Sequence, residues 1–250
     1  MKKLNLESLN HTLELKTLIE IAQWCFETFN EKEVILSTSF GAEGSVILDA
    51  FLQVNRNLRV FTIDTGRNFQ ESYDVWQALM DKYGISIEVY GPDPEELYSL
   101  QTTQGPNHFY NSKEFRQNCC HVRKINPLNK ALKGIKLWIS GLRKSQSSFR
   151  QGLEIISYAE ERGVYKLAPL FLWEEDTVWK YIRNNQIPYN KLYDKGFATI
   201  GCSPCTRPVG RAEELRSGRW WWEVDSNKEC GIHLVDGKMI RKKAVTDFSI

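Results

Sequence analysis

Apolar positions recur at helical spacing through residues 12–29, TLELKTLIEIAQWCFETF, predicting a helix with Cys25 among its packed positions. The period then changes. EVILSTS is an apolar run that passes into small hydroxyl residues, followed by the turn-prone FGAEGS and then by VILDAFLQV, which together predict strand, tight loop and helix. LRVFTIDTG repeats the pattern with a strand ending at Asp64, Thr65 and Gly66, and FQESYDVWQALMDKYG predicts a helix closing on Gly84. ISIEVYGP is a third strand. Residues 101–118 are polar and predict a loop, a helix is expected near 121–132, and KLWIS leads a strand to Gly141. LEIISYAEERGVYKLAPLFLW predicts short strands, and EEDTVWKYIRNNQ a helix with an acidic first turn. Strands alternating with helices predict an α/β fold: a parallel twisted sheet with right-handed crossovers and helices on both faces. No linker or repeat interrupts the chain, so one domain over residues 1–250 is expected, with its core at about 30–220.

Composition narrows the classes. A chain of 250 residues with 42% hydrophobic and 26% charged residues can bury a substantial core, and no apolar run approaches the length of a membrane span. The start MKKLNLESLN is basic but has no apolar stretch behind it, so a secretory signal is not expected and a cytoplasmic protein is. A net charge of +2 is too small to suggest general nucleic-acid binding, although basic residues thicken around 116–150 and 207–219. The composition is as compatible with a homo-oligomer as with a monomer. Six cysteines in a reducing compartment point to metal binding or catalysis rather than to disulfides.

In a sheet of this kind, ligands sit where loops leave the carboxyl ends of the strands. STSFGAEGS, residues 37–45, combines two glycines, several hydroxyls and the start of a helix, an arrangement suited to an anion. It lacks the Gly-Lys-Ser/Thr ending of a Walker A loop, and a purely conformational role for its glycines is the competing reading. DTGRN adds Asp64, Thr65, Gly66 and Arg67 at the second strand, and SGLRKSQSSFR adds Arg143, Lys144 and Arg150 at the fourth. Two basic loops among three at one sheet edge favour a phosphate-type ligand, while any single arginine could be a solvated surface charge.

NCCHVRK holds Cys119 and Cys120, and GCSPCTRPVG holds Cys202 and Cys205. Four thiolates can close a zinc site or hold an iron–sulfur cluster. Adjacent side chains diverge and reach one ion poorly, whereas a cubane offers separate iron corners, so the spacing favours the cluster. Arg123 and Lys124 would offset its negative charge. Cys25 reads as a packed core thiol, and Trp220 to Trp222 as packing rather than adenine stacking. Cys230, in KECGIH, is accounted for by neither.

The segments SFGAEGSVILD, TIDTGRNFQESY, NCCHVRKINPL, WISGLRKSQS, PYNKLYDKGFATIGCSPCTRPV, GRWWWE and KECGIH, in order from about residue 34 to 233, resemble the phosphoadenylyl-sulfate and adenylyl-sulfate reductase family. That resemblance implies an adenine nucleotide alpha hydrolase-like, PP-loop type fold and a mobile catalytic tail at about 223–250. The two cysteine pairs resemble the cluster-containing branch, which generally uses adenosine 5′-phosphosulfate. By resemblance, Cys119, Cys120, Cys202 and Cys205 ligate a [4Fe-4S] cluster and Cys230 is the nucleophile. Lys124, Arg143, Arg216 and Arg219 match basic positions around the phosphosulfate. Ser37, Ser39, Gly41, Glu43, Asp64, Thr65, Gly66 and Arg67 match the nucleotide side, and His233 is grouped with the substrate contacts. Where the family more often has a second arginine, an acid and a proline, this chain has Lys144, Ser145 and Ser148.

The implied chemistry is displacement of AMP by a thiolate attacking sulfur, which leaves an S-sulfonate on Cys230. No other thiol lies close to Cys230 in sequence, so thioredoxin or glutaredoxin is expected to release sulfite. Other readings are a 3′-phosphoadenylyl-sulfate or dual-specificity reductase, an ATP-dependent tRNA thiolase, and an iron–sulfur redox sensor.

Overall fold

A computed structural model describes residues 4–147, 150, 152–210 and 212–223. The expected mobile tail, with Cys230 and His233, therefore lies outside the described residues. The elements run α1 (Leu6–Glu14), α2 (Leu18–Thr28), β1 (Val34–Ser37), α3 (Ala42–Val54), β2 (Arg59–Ile63), α4 (Gln70–Tyr83), β3 (Glu88–Tyr90) and α5 (Pro94–Gln104). They continue with α6 (Lys113–Cys120), α7 (Asn126–Ala131), β4 (Leu137–Ile139), β5 (Ile156–Ala159), β6 (Val164–Leu167) and α8 (Glu175–Asn184).

The six strands form one sheet in the order β3-β2-β1-β4-β6-β5. Strand alternation explains its two cores. Val34 and Leu36 of β1, Leu137 and Ile139 of β4, and Tyr165 and Leu167 of β6 join the larger core. Ile35, Trp138 and Val164, the residues between or beside them, pack on the opposite face with Leu128, Ala131 and Leu132 around α7. Apolar residues on both faces require helices on both, as expected.

Three local corrections apply. The sheet is parallel except at its edge, where β5 pairs antiparallel with β6. The short turn Glu160–Arg162 and Gly163 at φ +64 let the chain reverse tightly enough for a hairpin. The single helix expected over 12–29 is two, because Thr17 and Glu20 form a reciprocal capping box that starts α2. The polar stretch 101–118 is not a loop throughout. It contains the end of α5, whose Asp93 cap and Pro94 were the overlooked start signals, and all but the last two residues of α6, capped by Ser112. A wider helical turn, His121–Ile125, then joins α6 to α7. Gly84, at φ +64, ends α4 as the sequence predicts, and Cys25 is fully buried in the larger core.

Candidate functional site

The β1–α3 turn is built by close approach. Phe40, a bulky residue at φ 61, turns the chain, and its ring stacks on Trp76 with centroids 5.3 Å apart. The Phe40 amide donates to Thr38 Oγ1 at 3.0 Å. A Cβ on Gly44 would lie 2.7 Å from that same oxygen, so glycine is required where the helix passes the loop. The first amide of α3, Ala42 N–H, donates to the Tyr193 hydroxyl at 3.1 Å. Burial raises the Tyr193 pKa, with the Glu43 charge adding to it, so the phenol stays neutral.

Beyond this turn, the carboxyl ends of β1, β2 and β4 open on a cavity of about 260 Å³. Of the sequence-predicted residues, Ser37, Ser39, Gly41, Glu43, Thr65, Lys124, Arg143, Arg216 and Arg219 line it, together with Cys202. Asp64, Gly66 and Arg67 do not. Asp64 Oδ1 accepts from the Gly66 amide at 2.9 Å and from the Tyr73 hydroxyl at 2.9 Å, which fixes the loop from behind. The Arg67 guanidinium donates to the Pro106 carbonyl and lies over the Phe109 ring at 5.0 Å, beside the cysteines. Ser37 belongs to the wall: its hydroxyl accepts from Trp138 Nε1 at 2.7 Å and donates to the Ile139 carbonyl at 3.1 Å.

The charges on the β1–α3 side are compensated within the protein. Arg143 Nε donates to Glu43 Oε1 at 2.7 Å in an ion pair only 5% and 13% exposed. Gln146 Nε2 donates to the same oxygen at 2.9 Å, and Ser145 accepts from Arg143 at 2.8 Å. Ser145 thus contributes a hydroxyl to Arg143, and Glu43 supplies the carboxylate. Sequence reasoning missed Ser140 and Thr199, whose hydroxyls have no protein partner among the described residues and which line the cavity. For Ser140 the available signal was its place at the end of a switch-point strand.

Cys119, Cys120, Cys202 and Cys205, each 7–8% exposed, gather in one apolar cluster with Phe109 and Trp220. Adjacent positions on a helix diverge by roughly 100°, yet Cys119 and Cys120 at the end of α6 both border the same small cavity. The wide turn that follows brings Arg123 and Lys124 alongside. Arg116, Arg123 and Lys124 border the same cavity as the thiols, and the charges of Arg123 and Lys124 act on Cys119 and Cys202 respectively. The charges of Lys124 and Arg219 act on Cys205. Burial pushes the Cys205 thiol up to about 12 and raises Cys119. At Cys202 burial also acts upward, but the Lys124 charge, the Thr65 hydrogen bond and Arg219 outweigh it, and the net shift is downward.

Among the described residues, no group of three or more His, Cys, Asp or Glu side chains is gathered closely enough to hold a single metal ion. The four thiols instead face a shared apolar cavity with cations behind them. That donor set fits an iron–sulfur cluster, whose thiolate ligands carry net negative charge and bind at separate corners. Lys124 and Cys202 line both this cavity and the larger one, so the two share a wall.

Fold and site together define an α/β protein with a cavity lined by Lys124, Arg143, Arg216 and Arg219 at the carboxyl edge of its sheet and a four-thiol centre against it. Residues 33–208 match the family model described as the phosphoadenosine phosphosulfate reductase domain. The adenosine 5′-phosphosulfate reductase of Allochromatium vinosum is 38% identical over 222 residues, covering 89% of this chain and 86% of that protein. Phosphoadenylyl-sulfate reductase from Candida auris, solved as a phosphate complex, superposes with a TM-score of 0.71 at 28% identity, covering 84% of this chain and 98% of that one. FMN adenylyltransferase from Candida glabrata, in complex with FAD and pyrophosphate, shares the fold with a TM-score of 0.55 at 16% identity, covering 86% and 79%. The chain belongs to the phosphoadenosine phosphosulfate reductase domain family. No described helix is long and apolar enough to cross a membrane.

Proposed function

We propose that the protein, as a single domain, reduces adenosine 5′-phosphosulfate to sulfite and AMP in assimilatory sulfate reduction, and that Cys230 is the nucleophile. The observation that carries this reading is the shared wall. Lys124 stands between a cavity lined by Arg216 and Arg219 and a four-thiol centre. Such a cavity suits a ligand whose sulfonate end is anionic. The adenosine 5′-phosphosulfate reductases at 37–40% identity support that nucleotide over the 3′-phosphorylated one.

The β1–α3 turn and Thr65 place the nucleotide, with Asp64 holding the Thr65 loop from behind, and Lys124, Arg216 and Arg219 hold the phosphosulfate with sulfur exposed to attack. The Cys230 thiolate attacks sulfur, the sulfur–oxygen bond to AMP breaks, and AMP leaves with the bonding electron pair. Cys230 then bears a sulfonate. A thiolate of thioredoxin or glutaredoxin attacks the Cys230 sulfur, sulfite departs with the electron pair of the sulfur–sulfur bond, and the carrier's second thiol releases Cys230. The two electrons come from the carrier dithiol. A [4Fe-4S] cluster on Cys119, Cys120, Cys202 and Cys205 supplies, when bound, a fixed charge beside Lys124 that tunes its field. The experiment is turnover of the iron-loaded Cys230→Ser variant with thioredoxin. Sulfite formation is expected to fall by a factor of about 10³ or more; turnover near that of the unaltered protein overturns the reading.

A further inference from the structure

The last described residue, Glu223, ends in a buried ion pair that none of the steps above uses. Arg116 of α6, 2% exposed, donates from Nε to Glu223 Oε1 at 2.7 Å and from a terminal nitrogen to Glu223 Oε2 at 2.9 Å. The same arginine lines the small cavity of the thiols together with Cys120. It also lies over the Trp220 ring at 4.5 Å, and Arg219, which lines the large cavity, lies over that ring at 4.6 Å. Trp220 is almost fully buried and sits at φ 41, a conformation that a bulky residue keeps only when its surroundings hold it. Its amide donates to the Cys205 carbonyl at 3.2 Å. One arginine therefore joins three places: the thiol centre beside Cys120, the cavity wall through Trp220 and Arg219, and Glu223, from which the chain continues toward Cys230.

We propose that Arg116 is a positioning residue, which through Glu223 and Trp220 fixes the departure point of the segment carrying Cys230 relative to the anion-binding wall. Cys230 follows Glu223 by seven residues, a span of at most about 25 Å when fully extended. With so short a tether, its root sets the local concentration of the thiol at the cavity, and loosening that root lowers the attack rate more than it lowers ligand affinity. An arginine is needed because its planar fork engages both carboxylate oxygens while its face packs on the indole. A lysine can do one or the other.

The proposal rests on Cys230 being the nucleophile, and the experiment separates the two. Single-turnover formation of the Cys230 S-sulfonate is followed by mass spectrometry in the iron-loaded unaltered protein, Arg116→Lys and Glu223→Gln, with AMP affinity measured by calorimetry. Hydrogen exchange of residues 219–223 is measured in parallel. The expected result is adduct formation about tenfold or more slower in Arg116→Lys, less so in Glu223→Gln, with AMP affinity within about twofold and faster exchange at 219–223. Adduct formation at the unaltered rate in both variants overturns the proposal, as does an equal fall in rate and affinity. Should Arg116→Lys not fold, Glu223→Gln decides alone, since it keeps the side-chain shape. If the unaltered protein forms no adduct, the nucleophile assignment fails instead, and unchanged exchange at 219–223 in Glu223→Gln then overturns the anchoring as well.

Discussion

The two sides of the large cavity handle charge in opposite ways. On the β1–α3 side, Arg143 is spent on Glu43, with Gln146 and Ser145 completing the set, and the first amide of α3 is taken by Tyr193. On the thiol side the cations face sulfur and carbonyl oxygen: Lys124 meets Cys202, Arg123 meets Cys119 and the Thr65 carbonyl, and Arg219 meets the Cys205 carbonyl. The cations named on this side thus meet sulfurs and the partial charges of carbonyls rather than a carboxylate. The first side is a scaffold that shapes the cavity; the second supplies its charge. The contrast makes distinct demands on substitutions.

The largest effect is expected from Cys202→Ser, which removes one thiol of the centre and the partner of Lys124 and Thr65. Iron bound per chain, measured after reconstitution, should fall severalfold, and sulfite formation should drop to background. Full iron loading in that variant would break the assignment of the thiol side. Next comes the pair that sharpens the comparison. Lys124→Met should lower kcat/KM by about 10²-fold while the thermal midpoint moves little. Arg143→Met should do the reverse: it leaves Glu43 buried without its partner and costs about 3 kcal/mol of stability, read from denaturant unfolding. Equal effects of the two on stability would erase the distinction between scaffold and charge. The smallest is Gly44→Ala. Its methyl would press on Thr38 Oγ1, and a loss of about 1–3 kcal/mol with nearly normal kcat in the folded fraction is expected.

Much of this arrangement is legible along the chain, and the limits have physical causes. Alternating short apolar runs and amphipathic helices announce the parallel sheet, and the hydroxyl and glycine residues after β1 announce the turn. Thr65, Lys124, Arg216 and Arg219, which the family resemblance groups with the substrate contacts, line the large cavity. Helix α6 escaped because KEFRQNCC has one large apolar residue, Phe115, and so no period to read; its signal was Ser112, whose side chain accepts from the Phe115 amide at 3.3 Å. The antiparallel edge was hidden because a short apolar run has the same appearance in either direction. Tyr193 capping α3 and Arg116 clasping Glu223 join residues more than a hundred positions apart, and no local pattern carries such pairings. Arg67 shows the converse. Its motif is recognisable, but the loop turns its side chain toward Phe109 and the cysteines instead of into the large cavity.

The most direct test of the central claim is to mix the iron-loaded protein with adenosine 5′-phosphosulfate in the absence of any thiol carrier and to weigh its peptides. One equivalent of AMP should appear, and the peptide containing Cys230 should gain the mass of SO3. Intact nucleotide and an unmodified Cys230 peptide would contradict the account.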